Sequence, residues 1–114
     1  MQILTNRGVE DELCRMQAEF CKGMSHPKRI QILNILKQGE RSVTELVEMT
    51  GIPQANLSQH LSVLRQFGLL ETKRSGSKIS YSLADARIGE ACNLVRKAIE
   101  ERLRKTRMFA EVVK

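Results

Sequence analysis

The sequence predicts a mainly α fold carrying one small β-hairpin, and three features predict it. Apolar residues recur at helical spacing through most of the chain. From Pro53 to Leu70 runs a polar helical segment with no acidic side chain, entered through a glycine turn. Two alternating runs, Leu69-Leu70-Glu71-Thr72-Lys73-Arg74 and Lys78-Ile79-Ser80-Tyr81-Ser82-Leu83, then flank a Ser75-Gly76-Ser77 turn. The predicted order is four helices, two strands and a fifth helix. All of it lies in a single domain spanning 1–114, a length that suits one domain.

The first helix is expected over roughly residues 9 to 24, with Val9, Leu13, Met16, Phe20 and Met24 as its apolar stripe. His26-Pro27 punctuates, with His26 as a helix-entry residue. The second helix runs to about Lys37 and buries Ile30, Leu33 and either Ile35 or Leu36. A short loop, Gln38-Gly39-Glu40-Arg41, leads to the capping box Ser42-Val43-Thr44-Glu45. The third helix turns Leu46 and Val47 inward and stops near Gly51, which can take the left-handed conformation of a tight turn. Pro53 suits the first turn of the fourth helix, where Leu57, Leu61 and Leu64 face the core. In the hairpin Ile79, Tyr81 and Leu83 alternate inward, and a two-stranded hairpin, marginal alone, must lie on the helices. The last helix begins at Asp85, a good N-cap, and aligns Ile88, Ala91, Cys92, Val95, Ala98, Ile99 and Leu103. No later element covers that stripe, so a partner subunit is expected to. Arg104-Lys105-Thr106-Arg107 breaks the pattern, and the tail over 104–114 is expected to fray.

The acid-free helix and the basic hairpin point to DNA. Gln54, Asn56, Ser58, Gln59 and His60 crowd one end of the fourth helix. Amides and hydroxyls hydrogen-bond base edges, and Gln or Asn suits adenine. Arg65, Lys73, Arg74 and Lys78 supply charge for phosphates, with Ser77 beside them at the turn. This is a helix-turn-helix followed by a wing, expected to bind double-stranded operator DNA. The formal net charge of +6 agrees with a polyanionic partner. No signal peptide or membrane-spanning run is evident, and three cysteines without an even framework suit a reducing compartment, so a cytoplasmic protein with no membrane partner is expected. The sequence shows no Cys-x-x-Cys, no Cys/His pair and no pocket-forming insertion, which argues against an enzyme.

Together, His26-Pro27-Lys28-Arg29-Ile30-Gln31-Ile32-Leu33, Ser42-Val43-Thr44-Glu45-Leu46, Leu57-Ser58-Gln59-His60-Leu61, Arg74-Ser75-Gly76 and Tyr81-Ser82-Leu83 resemble the ArsR/SmtB winged-helix repressors over about residues 9 to 103. The resemblance implies a homodimer joined through the first and last helices. It also implies operator binding released by a metal, a metalloid or a thiol-modifying species. The family's familiar sensor sites are not carried over. Thr44-Glu45-Leu46-Val47-Glu48-Met49 lacks the arsenic-type cysteines. Arg87 and Ala98 stand where the zinc-type site has histidines, between Asp85 and Glu101. Asn34 and the region near Glu100 stand where persulfide-responsive members carry cysteines.

The sensor question therefore turns on Cys14, Cys21 and Cys92. Cys14 and Cys21 share a helix face but lie about 10 Å apart along the axis, too far for a disulfide within an intact helix, whose Cα atoms must come within about 7 Å. Cys92 is the natural third party, since the resemblance brings the first and last helices together. Three thiolates there would bind As(III) or another thiophilic ligand, and two would trap a disulfide or polysulfide. No cofactor is required. The alternative is a winged-helix DNA-binding regulator or interaction module with no cysteine-based sensing, its cysteines serving as small buried hydrophobes.

Overall fold

The computed structural model describes residues 2–106 and 111–112. In chain order the elements are α1 (Gln2–Gly23), α2 (Pro27–Leu36), β1 (Arg41–Ser42), α3 (Val43–Thr50), α4 (Gln54–Gln66), β2 (Leu70–Ser75), β3 (Lys78–Leu83) and α5 (Ala86–Lys105). Among the described residues, no helix is long and apolar enough to cross a membrane. The expected architecture of five helices and a small hairpin is present.

Local chemistry sets the helix ends. His26 caps α2, its Nδ1 accepting from the Lys28 backbone N–H. The Ser42 hydroxyl accepts from the Glu45 N–H, and the Glu45 carboxylate accepts from the Ser42 N–H. These bonds hold the Glu45 carboxyl below its ordinary pKa, the Ser42 backbone N–H contributing most. Gly51, at φ 72°, ends α3 and donates to the Val47 carbonyl. Pro53 is the cap of α4 rather than its first residue, so the helix begins at Gln54. Asp85 caps α5, and the Arg87 guanidinium and backbone N–H hold its carboxyl far below the usual carboxylate range.

Five expectations need correcting, the first being that Ile79, expected to face inward, is 36% exposed. Helix α1 starts at Gln2 rather than near Val9, because a helix already nucleated extends through Gly8 at a cost of only about 1 kcal/mol. Helix α5 continues to Lys105, since Arg102, Arg104 and Lys105 favour the negative end of the helix dipole instead of stopping the helix. Ile30 is 41% exposed. The buried face of α2 is Ile32, Leu33 and Leu36, and Ile30 lies about 200° round the helix from Ile32. Finally, Arg41 and Ser42 form the unanticipated edge strand β1, pairing with Tyr81 and Ser80 to give a sheet ordered β1-β3-β2. Of the tail expected to fray, 107–110 and 113–114 lie outside the described residues.

The core joins Ile32, Leu33 and Leu36 to Leu46, Ile52, Leu57, Leu61, Leu64, Leu69, Leu70 and Ile88. Tyr81 and Leu83 pack partly against it and so seat the wing. Among the described residues, α1 reaches this core at its end, through Phe20, with Met24 following just after the helix. Gly23 is buried there, and a Cβ on it would come within 2.9 Å of Leu69 Cδ1 and Phe67 Cβ. The rest of α1 stands away, with Val9, Leu13 and Met16 each more than half exposed. Leu94, Val95 and Ile99 on α5 are equally bare. The radius of gyration is 17.3 Å, against about 13 Å for a compact chain of this length.

Candidate nucleic-acid interface

Burial of Leu57, Leu61 and Leu64 fixes the rotation of α4 and turns its opposite face to solvent. Gln54, Asn56, Ser58, Gln59, Ser62 and Arg65 are all exposed. Among the described residues, no hydrogen bond within the chain engages the side chains of Gln54, Asn56, Ser58 or Gln59. Their donors and acceptors are therefore open to an outside partner. The entry to α4 is held by Thr50, whose hydroxyl donates to the Leu46 carbonyl and accepts from the Ile52 N–H.

The wing lies beside this face. Strands β2 and β3 pair antiparallel from Leu70 opposite Leu83 to Ser75 opposite Lys78. The tip is a two-residue turn, Gly76-Ser77, shorter than the expected turn by the paired Ser75. Gly76 takes φ 66° there, a conformation few other residues accept. Lys73, Arg74, Ser77 and Lys78 are exposed on it. Ser58, Ser62, Arg65, Gln66 and Tyr81 line an open cleft of about 520 Å³ between α4 and the wing. Ser62, Gln66 and Tyr81 were not among the residues expected to bind. Tyr81 escapes a reading by alternation because β3 uses the same residue to reach both the core and this cleft.

His60 differs from its neighbours on α4. It is half-buried, and its ring centroid lies 4.6 Å from that of His26 at a tilt of 51°. Burial lowers its pKa first, and the charges of His26, Arg29 and Lys28 add to the effect. Arg29 stands behind this pair with a buried Nε that has no hydrogen-bond partner. His60 thus joins α4 to the start of α2 and is not presented outward as Gln59 is.

The three cysteines are not brought together within one chain. Cys14 is exposed, its thiol 3.5 Å from a Glu10 carboxylate oxygen. It lines a shallow groove on α1 with Leu13, Met16, Gln17 and Phe20. Cys92 is partly buried, its Sγ 3.8 Å from Met24 Sδ. Burial raises the Cys92 pKa, Lys37 opposes that, and Cys21 adds to it. Among the described residues no group of three or more His, Cys, Asp or Glu is placed to hold a metal ion.

Comparison with known proteins matches residues 26–72, from the α2 cap into β2, to the family described as bacterial regulatory protein, arsR family. The HTH-type transcriptional regulator Rv0081 of Mycobacterium tuberculosis is 40% identical over 90 residues, covering 78% of this chain and 79% of that one. Its crystal structure superposes with a TM-score of 0.74, covering 82% of this chain and 95% of that one. A biofilm growth-associated repressor of Xylella fastidiosa is 42% identical over 76 residues, 67% of each chain. The homodimeric winged helix-turn-helix DNA-binding domain of Mb0332 from Mycobacterium bovis is 31% identical with a TM-score of 0.76, covering 82% of this chain and 87% of that one.

Proposed function

The chain belongs to the ArsR family of bacterial regulatory proteins, DNA-binding transcriptional regulators rather than enzymes, and from that premise we propose that it represses transcription as an operator-bound homodimer. The observation that carries this reading is the exposed, acid-free face of α4 beside a basic wing. Gln54, Asn56, Ser58 and Gln59 enter the major groove, while Arg74, Ser77 and Lys78 hold the flanking backbone. Helices α1 and α5 form the dimer seam. The homodimeric state of the Mb0332 domain and the bare apolar stripes of both helices support that assignment. Release is by a thiol-directed effector acting on the cysteines of the same seam, where a ligand favours one dimer geometry over the other.

A mobility-shift titration on the DNA upstream of its own gene tests both halves. Wild type should shift that DNA at nanomolar to micromolar concentration and release it with As(III), a soft metal ion or a polysulfide. A triple Cys→Ser protein should bind equally and fail to release. Equal release from both proteins would leave a DNA-binding regulator whose cysteines only pack. No shift of any double-stranded target would remove the repressor reading itself.

A further inference from the structure

The cleft between α4 and the wing is lined by donors with no partner of their own. Ser58, Ser62 and Arg65 follow one another at spacings of four and three, so they form one stripe along α4. That stripe lies one residue, about 100° round the helix, from the buried Leu57, Leu61 and Leu64. Gln66 and Tyr81 complete the lining, Tyr81 from the wing. Among the described residues, none of these five side chains makes a hydrogen bond or ion pair within the chain. A guanidinium and three hydroxyls therefore line one open space with their donors unused.

Charge and strand register select an anion. Helix α4 carries no acidic side chain. Glu71 is the one carboxylate of the hairpin strands. It pairs with Ser82, whereas its neighbour Thr72 pairs with Tyr81. Alternation therefore puts Glu71 on the opposite face of the wing from Tyr81. The same register puts Arg74 on the Tyr81 face, and Lys73 and Lys78 on the Glu71 face. An Arg fork among hydroxyls, with the nearest wing carboxylate turned away, suits the acceptor oxygens of a phosphate. The place of the cleft says which phosphate. Each strand of a duplex separates a major groove from a minor groove. With α4 in the major groove and the wing beside it, one strand must pass between them, over the cleft.

We propose that the Arg65 guanidinium and the hydroxyls of Ser58, Ser62 and Tyr81 form a seat for one phosphodiester of the operator, on the strand that passes between α4 and the wing. The inference rests on the reading of α4 and the wing as the DNA interface. It deepens that reading by naming the point that sets how far α4 enters the groove. Phosphate contacts position a protein on the duplex, and base contacts specify the sequence. The seat is indifferent to sequence, but it holds the register from which Gln54, Asn56 and Gln59 read.

The test is fluorescence anisotropy of the full chain on its operator, with one phosphate at a time replaced by a neutral methylphosphonate. Arg65→Gln should weaken binding to the unmodified operator roughly tenfold and become insensitive to replacement at one position of each half-site, a position that costs wild type heavily. Tyr81→Phe keeps the ring that packs on the core, and should lose part of its sensitivity at that same position. Arg65→Lys should recover most of the affinity. Lys73→Gln, on the other face of the wing, should keep full sensitivity there. Binding of Arg65→Gln equal to wild type, or a loss spread evenly over all positions, would overturn the seat. Inorganic phosphate titrated against chloride at equal ionic strength tests the other source of the same chemistry. It should displace the operator no better than chloride does. Arg65-dependent saturation by free phosphate, with no coupled position in the scan, would assign the cleft to a small anion and overturn the operator seat. Gln59→Ala separates the two readings. Altered base preference in that variant with no coupled position for Arg65 sinks the seat and leaves the DNA interface standing, whereas failure of wild type to bind any duplex removes both.

Discussion

Gln59 and Lys78 are both exposed and polar, but they carry different information. A Gln amide can donate to and accept from one base edge at once, whereas a Lys ammonium meets any phosphate alike. Gln59→Ala should therefore relax base preference at one position of each half-site, costing on the order of 1–3 kcal/mol per subunit if its contact is bidentate. Lys78→Ala should weaken all sequences equally and flatten the salt slope by about one unit. Anisotropy against a panel of operator variants at several salt concentrations distinguishes the two, and wild-type behaviour in both would dismiss the assigned reading surface. His60 makes a separate prediction about stability. Its folded pKa is depressed below the ordinary imidazole value of about 6.5, so the unfolded chain takes up a proton first as pH falls. The stability that His60 contributes is complete above that value and declines as pH drops through about 6.5 and below. Urea midpoints should fall between about pH 7 and pH 5, and this slope should shrink in His60→Phe.

At the scale of elements, Gly23 is the point at which α1 packs closely against the core. A Cβ there meets the base of Phe67 and the tip of the fully buried Leu69. Gly23→Ala should destabilise the chain by about 1–3 kcal/mol, read as a lower urea midpoint. Gly8→Ala, in open space on the same helix, should not lower it. Local elements were legible in the sequence because their causes are local. The Ser42–Glu45 box, the Gly51 stop and the leucine spacing of α4 each lie within a few residues of what they determine. What could not be read depends on distant partners. Strand β1 exists because β3, about forty residues on, offers it a free edge. The contact of Cys92 with Met24 spans 68 residues, and that of His26 with His60 crosses from α2 to α4. The exposed face of α4 was legible except for His60. The cysteines were legible as residues of α1 and α5, but it was not legible that Cys92 is partly buried against Met24 while Cys14 and Cys21 are exposed.

For the whole molecule, the governing fact is an extended chain of 54 × 50 × 21 Å with apolar side chains bare on its first and last helices. Val95→Glu should put a charge into the proposed seam and shift sedimentation from dimer to monomer at micromolar concentration, with operator affinity lost alongside. A wild-type chain that sediments as a stable monomer would remove the two-fold arrangement. The bare stripes lie on α1 and α5, whereas the proposed reading face lies on α4 and the wing, so the proposed function assigns pairing and reading to different stretches of the chain. That separation has a genetic consequence. An allele damaged only in α4 still pairs, and each chain of it that pairs with a wild-type chain yields a one-armed repressor. With both alleles expressed equally and pairing at random, about a quarter of the pairs keep two intact reading helices. Such an allele should therefore be dominant over wild type, while one damaged in α5 should be recessive.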